Sequence, residues 1–286
     1  MPAAAPPVSV VVPARNAAGT IDAQLAALVA QQYQGDIEVI VVDNGSDDGT
    51  SARASAWSDR IPGLRVLEAS DGIGPGHARN VGFAAATNEF VLMCDADDVV
   101  DHLWAQRLVD ALGQSDATAG GAVSWTGGPL PRTTDPAAFR VGMDFLPAFS
   151  SCSAAVRRQI WKAVGGFDES LLQGEDLDLA WRIQLAGFRM TSEPRAFVYY
   201  REPASAMGVF RKWVTYGQCQ VRLAAKHRAA GLCGEPFWKV GARWVVLVLT
   251  SYRLLGRTPP RRLWARDAGR RVGRLIGSVR QRTWYP

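Results

Sequence analysis

Short, nearly unbroken β-branched runs alternate along this chain with segments whose apolar positions recur every three or four residues. Val8–Pro13 is the first run and reads as a strand buried on both faces. Ile21, Leu25 and Leu28 then share one face of a helix ending near Tyr33. Glu38–Asp43 is a second strand and Leu64–Leu67 a third. A helix over Gly76–Ala86 leads to a fourth strand, Glu89–Cys94, and Leu103–Leu112 is helical again. This alternation predicts an α/β layer around a largely parallel sheet. From about residue 118 to 153 the pattern weakens to a strand, Ala119–Trp125, among loops rich in Gly, Pro, Ser and Thr. Helices are expected at Ala154–Val164 and Asp176–Ala186, then a strand at Ala196–Tyr200, and the chain beyond Pro203 reads as helical. It contains no internal repeat and no low-complexity linker.

Composition adds a division that periodicity does not reveal. The 286 residues are 48% hydrophobic and 21% charged, which suits a globular unit with or without an appendage and excludes a disordered or collagen-like chain. The net charge of +5 is an average of opposites. Residues 1–200 carry 14 Lys and Arg against 24 Asp and Glu, net −10, whereas residues 201–286 carry 18 against 3, net +15. Four dispersed cysteines without a Cys-x-x-Cys pair argue against a zinc or disulfide framework and for a reduced, cytosolic compartment. The opening Met-Pro-Ala-Ala-Ala-Pro-Pro lacks a basic and an apolar region and reads as a frayed terminus rather than a signal peptide. The apolar run Trp244–Tyr252, closed by Arg243 and Arg253, is shorter than the roughly 20 residues a membrane span needs. It reads as a buried or interfacial helix.

Ligands of open parallel sheets bind beyond the carboxyl ends of strands, so Pro13–Asn16, Asp43–Asp47 and Asp95–Asp98 are expected to converge on one crevice. Three carboxylates within Asp95-Ala96-Asp97-Asp98 repel one another unless a cation lies among them, and hard oxygen ligands select Mg²⁺ or Mn²⁺. The competing reading is that Asp97, Asp98 and Asp101 cap the next helix. Asp43 ends a strand, where it can accept hydrogen bonds from a base or ribose, while Ser46–Thr50 has turn chemistry. Gly72–Gly76 resembles a phosphate loop but lacks the Gly-x-Gly-x-x-Gly spacing. Arg79 and Asn80 follow it in a helix, facing crevice or solvent, solvent being the commoner case for a lone helical Arg. Glu175, Asp178 and Arg182 suit a solvated helix face with i,i+3 and i,i+4 contacts. The Gly174-Glu175-Asp176 start instead presents Asp176 to a cleft, where it can act as a base. With three His and no Gly-x-Ser-x-Gly, a serine or cysteine hydrolase is not supported.

Six motifs in order resemble an inverting family-2 glycosyltransferase of the GT-A fold, over roughly residues 8–202. They are Val8–Asn16, Val41–Thr50, Gly76–Gly82, Asp95–Asp98, Gly165–Glu169 and Gly174–Leu179. The resemblance implies a nucleotide-sugar-binding α/β sheet flanked by helices over residues 1–203; beyond it, charge and pattern predict a basic α-helical region over 204–286. It further implies that Pro13, Ala14, Arg15, Asn16 and Asp43 line a nucleoside pocket, with Arg79 and Asn80 beside the donor. Asp95 contacts ribose or metal, Asp97 the divalent metal, Asp176 is the general base and Glu175 its understudy. The implied chemistry is a single displacement with inversion, aided by Mg²⁺ or Mn²⁺. The chain departs from the family where relatives carry a His after the last strand of the domain. Here the segment is Phe197–Arg201, leaving a third metal ligand to solvent or absent. It departs again at Ser150–Arg158, where relatives show a small residue and Asn before Arg-Arg, which points to an atypical acceptor pocket.

Arg211–Gly217 resembles a segment after the catalytic domain in some bacterial relatives, which implies that Arg211 or Tyr216 reaches donor diphosphate or acceptor. Farther on, Trp264, Ala268, Val272, Leu275, Ile276 and Val279 form an apolar stripe among Arg262, Arg266, Arg270, Arg271 and Arg274. Such a helix suits packing on the acidic domain or on another subunit in a homo-oligomer, or an anionic membrane surface at the inner face of the membrane. Nucleic acid is disfavoured, since no reader motif accompanies the charge. The acceptor class stays open among lipid-linked glycan, natural product and peptide. Two rival functions share the fold: a sugar-phosphate nucleotidyltransferase, whose usual Gly-rich loop is missing after Pro13, and a non-catalytic nucleotide-sugar-binding or membrane-scaffold protein.

Overall fold

The computed structural model describes residues 5–131, 135–138, 143–255 and 258–285. Residues 1–4, most of the stretch read as a frayed terminus, lie outside the described residues. The chain forms two compact units, residues 1–141 with 146–201 and residues 142–145 with 202–286.

The first unit is built on one mixed sheet. Its parallel half contains β1 (Val8–Ala14), β2 (Ile37–Asp43), β3 (Arg65–Glu68) and β4 (Phe90–Met93), in the order β3-β2-β1-β4. The helices α1 (Ile21–Val29), α2 (Thr50–Ser55) and α3 (Pro75–Ala85) make the crossovers. Both faces of β1, β2 and β4 are covered, which explains their apolar runs: Val8, Val10, Val11 and Val12 are all fully buried, whereas the edge strand β3 is half-exposed. Gly82 lets α3 sit directly on the sheet, because a Cβ there would lie 2.4 Å from Cγ1 of Val11.

The other half departs from the expected parallel arrangement. β5 (Val99–Val100), β6 (Ala117–Trp125), β7 (Ala137–Ala138), β8 (Ala154–Arg157) and β9 (Met190–Arg201) complete the sheet, with α4 (Trp104–Leu112), α5 (Arg158–Ala163) and α6 (Glu175–Leu185) between them. β8 runs antiparallel to β4, and beyond it follow β6, β9 and β5. The expected helix at 154–164 is therefore a strand followed by a short helix. Ala154-Ala155-Val156 is too short for its period to be read, and its ladder with Val91–Met93 decides its state. β9 begins at Met190 rather than Ala196, because its first half pairs with Ala117–Ala119 of β6 before a register shift.

The second unit is helical: α7 (Ala206–His227), α8 (Phe237–Leu249), a 3-10 turn (Ser251–Leu255) and α9 (Thr258–Arg280). The apolar stripe of α9 is not the face laid against α7: Ala268 is buried, Trp264, Val272, Leu275 and Ile276 are half-buried, and Val279 is 79% exposed. Instead Gly269, Gly273 and Gly277 bring α9 onto α7 backbone to backbone; a Cβ on Gly273 would lie 2.1 Å from the Val214 carbonyl oxygen. Arg274, expected beside the stripe, is buried and donates to Gln220 Oε1 at 2.7 Å.

Candidate active site

β1, β2 and β4 are neighbours and parallel, so the segments after them emerge on one side of the sheet. Ala14 and Asp43 stand opposite each other in register. The two following loops are laced together. The Asn16 N–H donates to Ser46 Oγ at 2.9 Å, and Asn16 Oδ1 accepts from the Asp47 N–H at 3.0 Å. Asn16 takes φ +51, a left-handed conformation that Asn tolerates better than most residues. Asp43 is buried at the strand end and its Oδ1 accepts from the Ser46 N–H at 2.9 Å. Pro13 is half-buried, Ala14 buried, and Arg15 and Asn16 are exposed at the crevice-side turn. Two framework residues were not singled out in the sequence. Asp48 accepts from the Ala18 N–H, and Asn44 grips the glycine loop by donating to the Gly72 carbonyl and accepting from the Gly74 N–H, both at 2.9 Å.

At the centre lies Arg79, 3% exposed and not solvated as a lone helical Arg usually is. Its Nη1 donates to Glu175 Oε1 and its Nη2 to Asp95 Oδ1, each at 2.6 Å. Burial works against its charge, but Asp95, Glu175 and Asp176 together outweigh burial and hold it protonated. These contacts tie α3, the end of β4 and the start of α6 to one guanidinium.

Glu175 is buried, and burial first, then the adjacent Asp176, pushes its carboxyl up to about 7 against the pull of Arg79. Asp176 is half-buried; its Oδ2 accepts from the Ser151 N–H at 3.1 Å. Burial raises its carboxyl too, while Arg79 and the Ser151 and Leu177 N–H groups oppose the rise. Asp178 and Arg182 do pair at i,i+4, 2.7 Å apart, but not on a solvated face, since Asp178 is fully buried. Arg182 also donates to the carbonyls of Val164 and Gly166, bracing the glycine turn.

Asn80, two-sided as only an amide can be, is spent on that same loop. It donates to the Phe167 carbonyl and to Glu169 Oε1 at 2.9 and 2.7 Å, and accepts from the Phe167 N–H at 2.8 Å. Beside it His77 sits between Glu169 (2.9 Å) and Asp71 (3.0 Å), and Glu169 foremost raises its pKa. His77 carried no sequence signal beyond its place within a motif.

The acidic cluster after β4 divides in three ways. Asp95 faces Arg79, Asp97 is exposed, and Asp98 is buried, accepting from the Arg201 N–H at 2.7 Å. Asp101 does not cap α4, whose N-cap is Leu103; it braces the turn before the helix, its Oδ1 accepting from the Leu103 N–H. Among the described residues, Asp95, Asp98 and Cys152 offer ligand atoms within 4.8 Å of one another. Asp97 is outside this group, although the expected pair was Asp95 and Asp97. Burial raises the Cys152 thiol well above its ordinary value and keeps it neutral, so it adds little for a hard cation. The carboxylates fit Mg²⁺ or Mn²⁺, which usually takes one or two of them plus phosphate oxygens. At the end of β9, where a His was expected of the family, Arg201 donates from Nε to the Asp97 carbonyl at 2.8 Å.

A mixed α/β sheet whose carboxylate-bearing loops gather at the carboxyl ends of adjacent parallel strands is an architecture that binds ligands in the crevice beyond those ends. The glycosyl transferase family 2 pattern matches residues 9–162, and the chain belongs to that family. The pre-mycofactocin glycosyltransferase of Mycobacterium tuberculosis is 28% identical over 242 residues, 77% of this chain and 48% of that protein. The succinoglycan biosynthesis protein ExoO of Rhizobium meliloti is 31% identical over 225 residues, 72% of this chain and 64% of that one. The chain thus spans about half to two thirds of the length of these curated relatives. Among solved structures, the mannosyltransferase PcManGT from Pyrobaculum calidifontis, in complex with GDP-Man and Mn²⁺, superposes with a TM-score of 0.69 at 23% identity. The match covers 96% of this chain and 88% of that one. Residues 1–349 of TarS from S. aureus, in complex with UDP, give 0.55 at 20% identity, covering 98% and 93%. The fold is therefore that of the GT-A glycosyltransferases, as the motifs implied.

Proposed function

We propose that this chain moves a sugar from a nucleoside-diphosphate-sugar donor to an acceptor hydroxyl, with inversion. The observation that carries this reading is the buried guanidinium of Arg79 bonded at once to Asp95 and Glu175, next to Asp176. It joins the acidic loop after β4 to the acidic start of α6. The complexes of PcManGT with GDP-Man and of TarS with UDP support a nucleotide sugar as donor.

In this reading Pro13, Ala14, Arg15 and Asn16 line one wall of the nucleoside pocket, and Asp43 faces the base. Asp95 would hold Mg²⁺ or Mn²⁺, with Asp98, whose ligand atom lies near its own, or the exposed Asp97 of the same loop as the second carboxylate, and the ion when bound would offset the negative charge of the departing nucleoside diphosphate. Asp176 is the general base. An acceptor hydroxyl is a poor nucleophile at neutral pH, and a raised, half-buried carboxylate takes its proton as the new bond forms at the anomeric carbon. The donor's bond to the nucleoside diphosphate breaks on the opposite face, and the electron pair leaves with the diphosphate. Glu175 is held by Arg79 and is the second choice for the base. Asn80, its amide spent on the 165–169 loop, acts beside the donor by positioning rather than by contact. Catalysis is assigned to residues 1–203 and a separate role to 204–286, on the cytoplasmic side of a membrane. The test is consumption of nucleotide sugars by the purified chain. Asp176→Asn should abolish transfer while leaving donor binding, and full transfer by that variant would overturn the assignment.

A further inference from the structure

The second unit contains a helix whose polarity is reversed. α8 turns Val240, Trp244 and Leu247 inward; Leu247 is buried, and the Trp264 indole donates to its carbonyl at 2.9 Å, fastening α9 to that side. A surface helix ordinarily turns polar residues to water. Here the outward face is apolar: Trp238, Val245, Val248 and Leu249 are 57–70% exposed. The patch runs on through the 3-10 turn, where Tyr252 is 64% and Leu255 87% exposed.

Charge narrows the choice of occupant. The charged residues of α8 are Lys239 and Arg243, and Arg253 follows in the turn, so the patch is bordered by basic groups alone. Residues 202–286 carry 17 Lys and Arg against three acids, and those three, Glu202, Glu235 and Asp267, are each engaged by arginines of the same unit. The field around the patch is therefore positive. A second copy would bring one positive rim against another. An anionic bilayer offers the complement on both counts, acyl chains for the patch and charged headgroups for the rim. At 13 residues α8 is about 20 Å long, too short to span the roughly 30 Å hydrocarbon layer. No helix among the described residues is long and apolar enough to cross a membrane.

We propose that α8 and the turn after it form a monotopic docking face for an anionic lipid bilayer. The helix lies in the plane of the interface with Val245, Val248 and Leu249 among the acyl chains. Trp238 and Tyr252 sit at headgroup level, and Lys239 and Arg253 meet the anionic groups. The proposal is independent of which sugar is transferred.

The test is flotation of the full chain with vesicles of phosphatidylcholine, with and without phosphatidylglycerol. The chain should float with the anionic vesicles and weakly or not at all with neutral ones. Val245→Asp with Leu249→Asp should abolish flotation, and Lys239→Glu with Arg253→Glu should weaken it by about tenfold or more. Lys239, Val245 and Leu249 are exposed and Arg253 half-buried, so circular dichroism and melting should be unchanged in the Val245/Leu249 variant and little changed in the Lys239/Arg253 one. As a readout on the unaltered patch, brominated phosphatidylglycerol should quench emission in the wild type more than in Trp238→Phe. Equal flotation of the wild type and the Val245/Leu249 variant would overturn the proposal. So would a dimer in solution that the same two substitutions dissociate, with no lipid binding by the wild type.

Discussion

Arg79 and Asp95, sixteen positions apart in sequence, meet at 2.6 Å with the arginine 3% exposed. The same guanidinium holds Glu175, so one side chain balances the acids at the ends of two elements. Removing one partner of a buried ion pair costs about 3–5 kcal/mol, because the other charge is stranded. Arg79→Met should therefore destabilise the fold by about that amount in urea unfolding near neutral pH. The loss should shrink at lower pH, where Glu175 becomes neutral. A loss independent of pH would mean that the arginine is needed for packing alone.

The raised carboxyls give stability a slope. Glu175 sits at about 7 in the fold against an ordinary 4.5, so between those values the folded chain binds more protons than the unfolded one. Stability then falls as pH rises through that window. Glu175→Gln should flatten the slope. Transfer moves the other way, since a base must be ionised: the rate should rise with pH from above the ordinary carboxylate range, and Asp176→Asn should remove the rate altogether. Denaturant melts and initial rates across this range check both signs.

His77 bears on the loop that leads to these acids. Its pKa is raised above 6.5, chiefly by Glu169, so its contribution is full below 6.5 and is lost as pH rises through the raised value. Protection factors from hydrogen exchange across residues 165–174, corrected for the intrinsic rise of exchange with pH, should fall over that rise. His77→Gln should make them constant with pH, and Asn80→Ala should lower them at every pH.

The glycines of the second unit make opposite predictions. A Cβ at Gly273 would lie 2.1 Å from the Val214 carbonyl oxygen, whereas nothing lies within 4 Å of one at Gly241. Gly273→Ala should cost about 1–3 kcal/mol through overpacking, and Gly241→Ala should gain about 0.5–1 kcal/mol in helix propensity. Thermal melts of the two variants read the difference directly.

These contrasts also mark what could be read from sequence. β1, β2 and β4 were legible because each is buried on both faces and flows into a polar cluster. β8 was not, since Ala-Ala-Val has no period to read and is made a strand by its partner. The acids of the site were visible as an excess over what capping needs, whereas Arg79 looked like any helical arginine until its partners from β4 and α6 arrived. In the second unit a stripe of large apolar residues suggested a face of α9 for the acidic domain, another subunit or a membrane, and said nothing of α7. The face used consists of small residues, because close approach of two helices is set by what is missing from their surfaces.

The most direct test is to incubate the purified chain and its Asp176→Asn variant with a panel of nucleoside-diphosphate sugars and Mn²⁺. Released nucleoside diphosphate is measured by chromatography and the anomeric configuration of the product by NMR. The wild type should release nucleoside diphosphate from at least one donor with inversion, and Asp176→Asn should bind that donor without turning it over. Retention of configuration, or equal turnover by the variant, would contradict it.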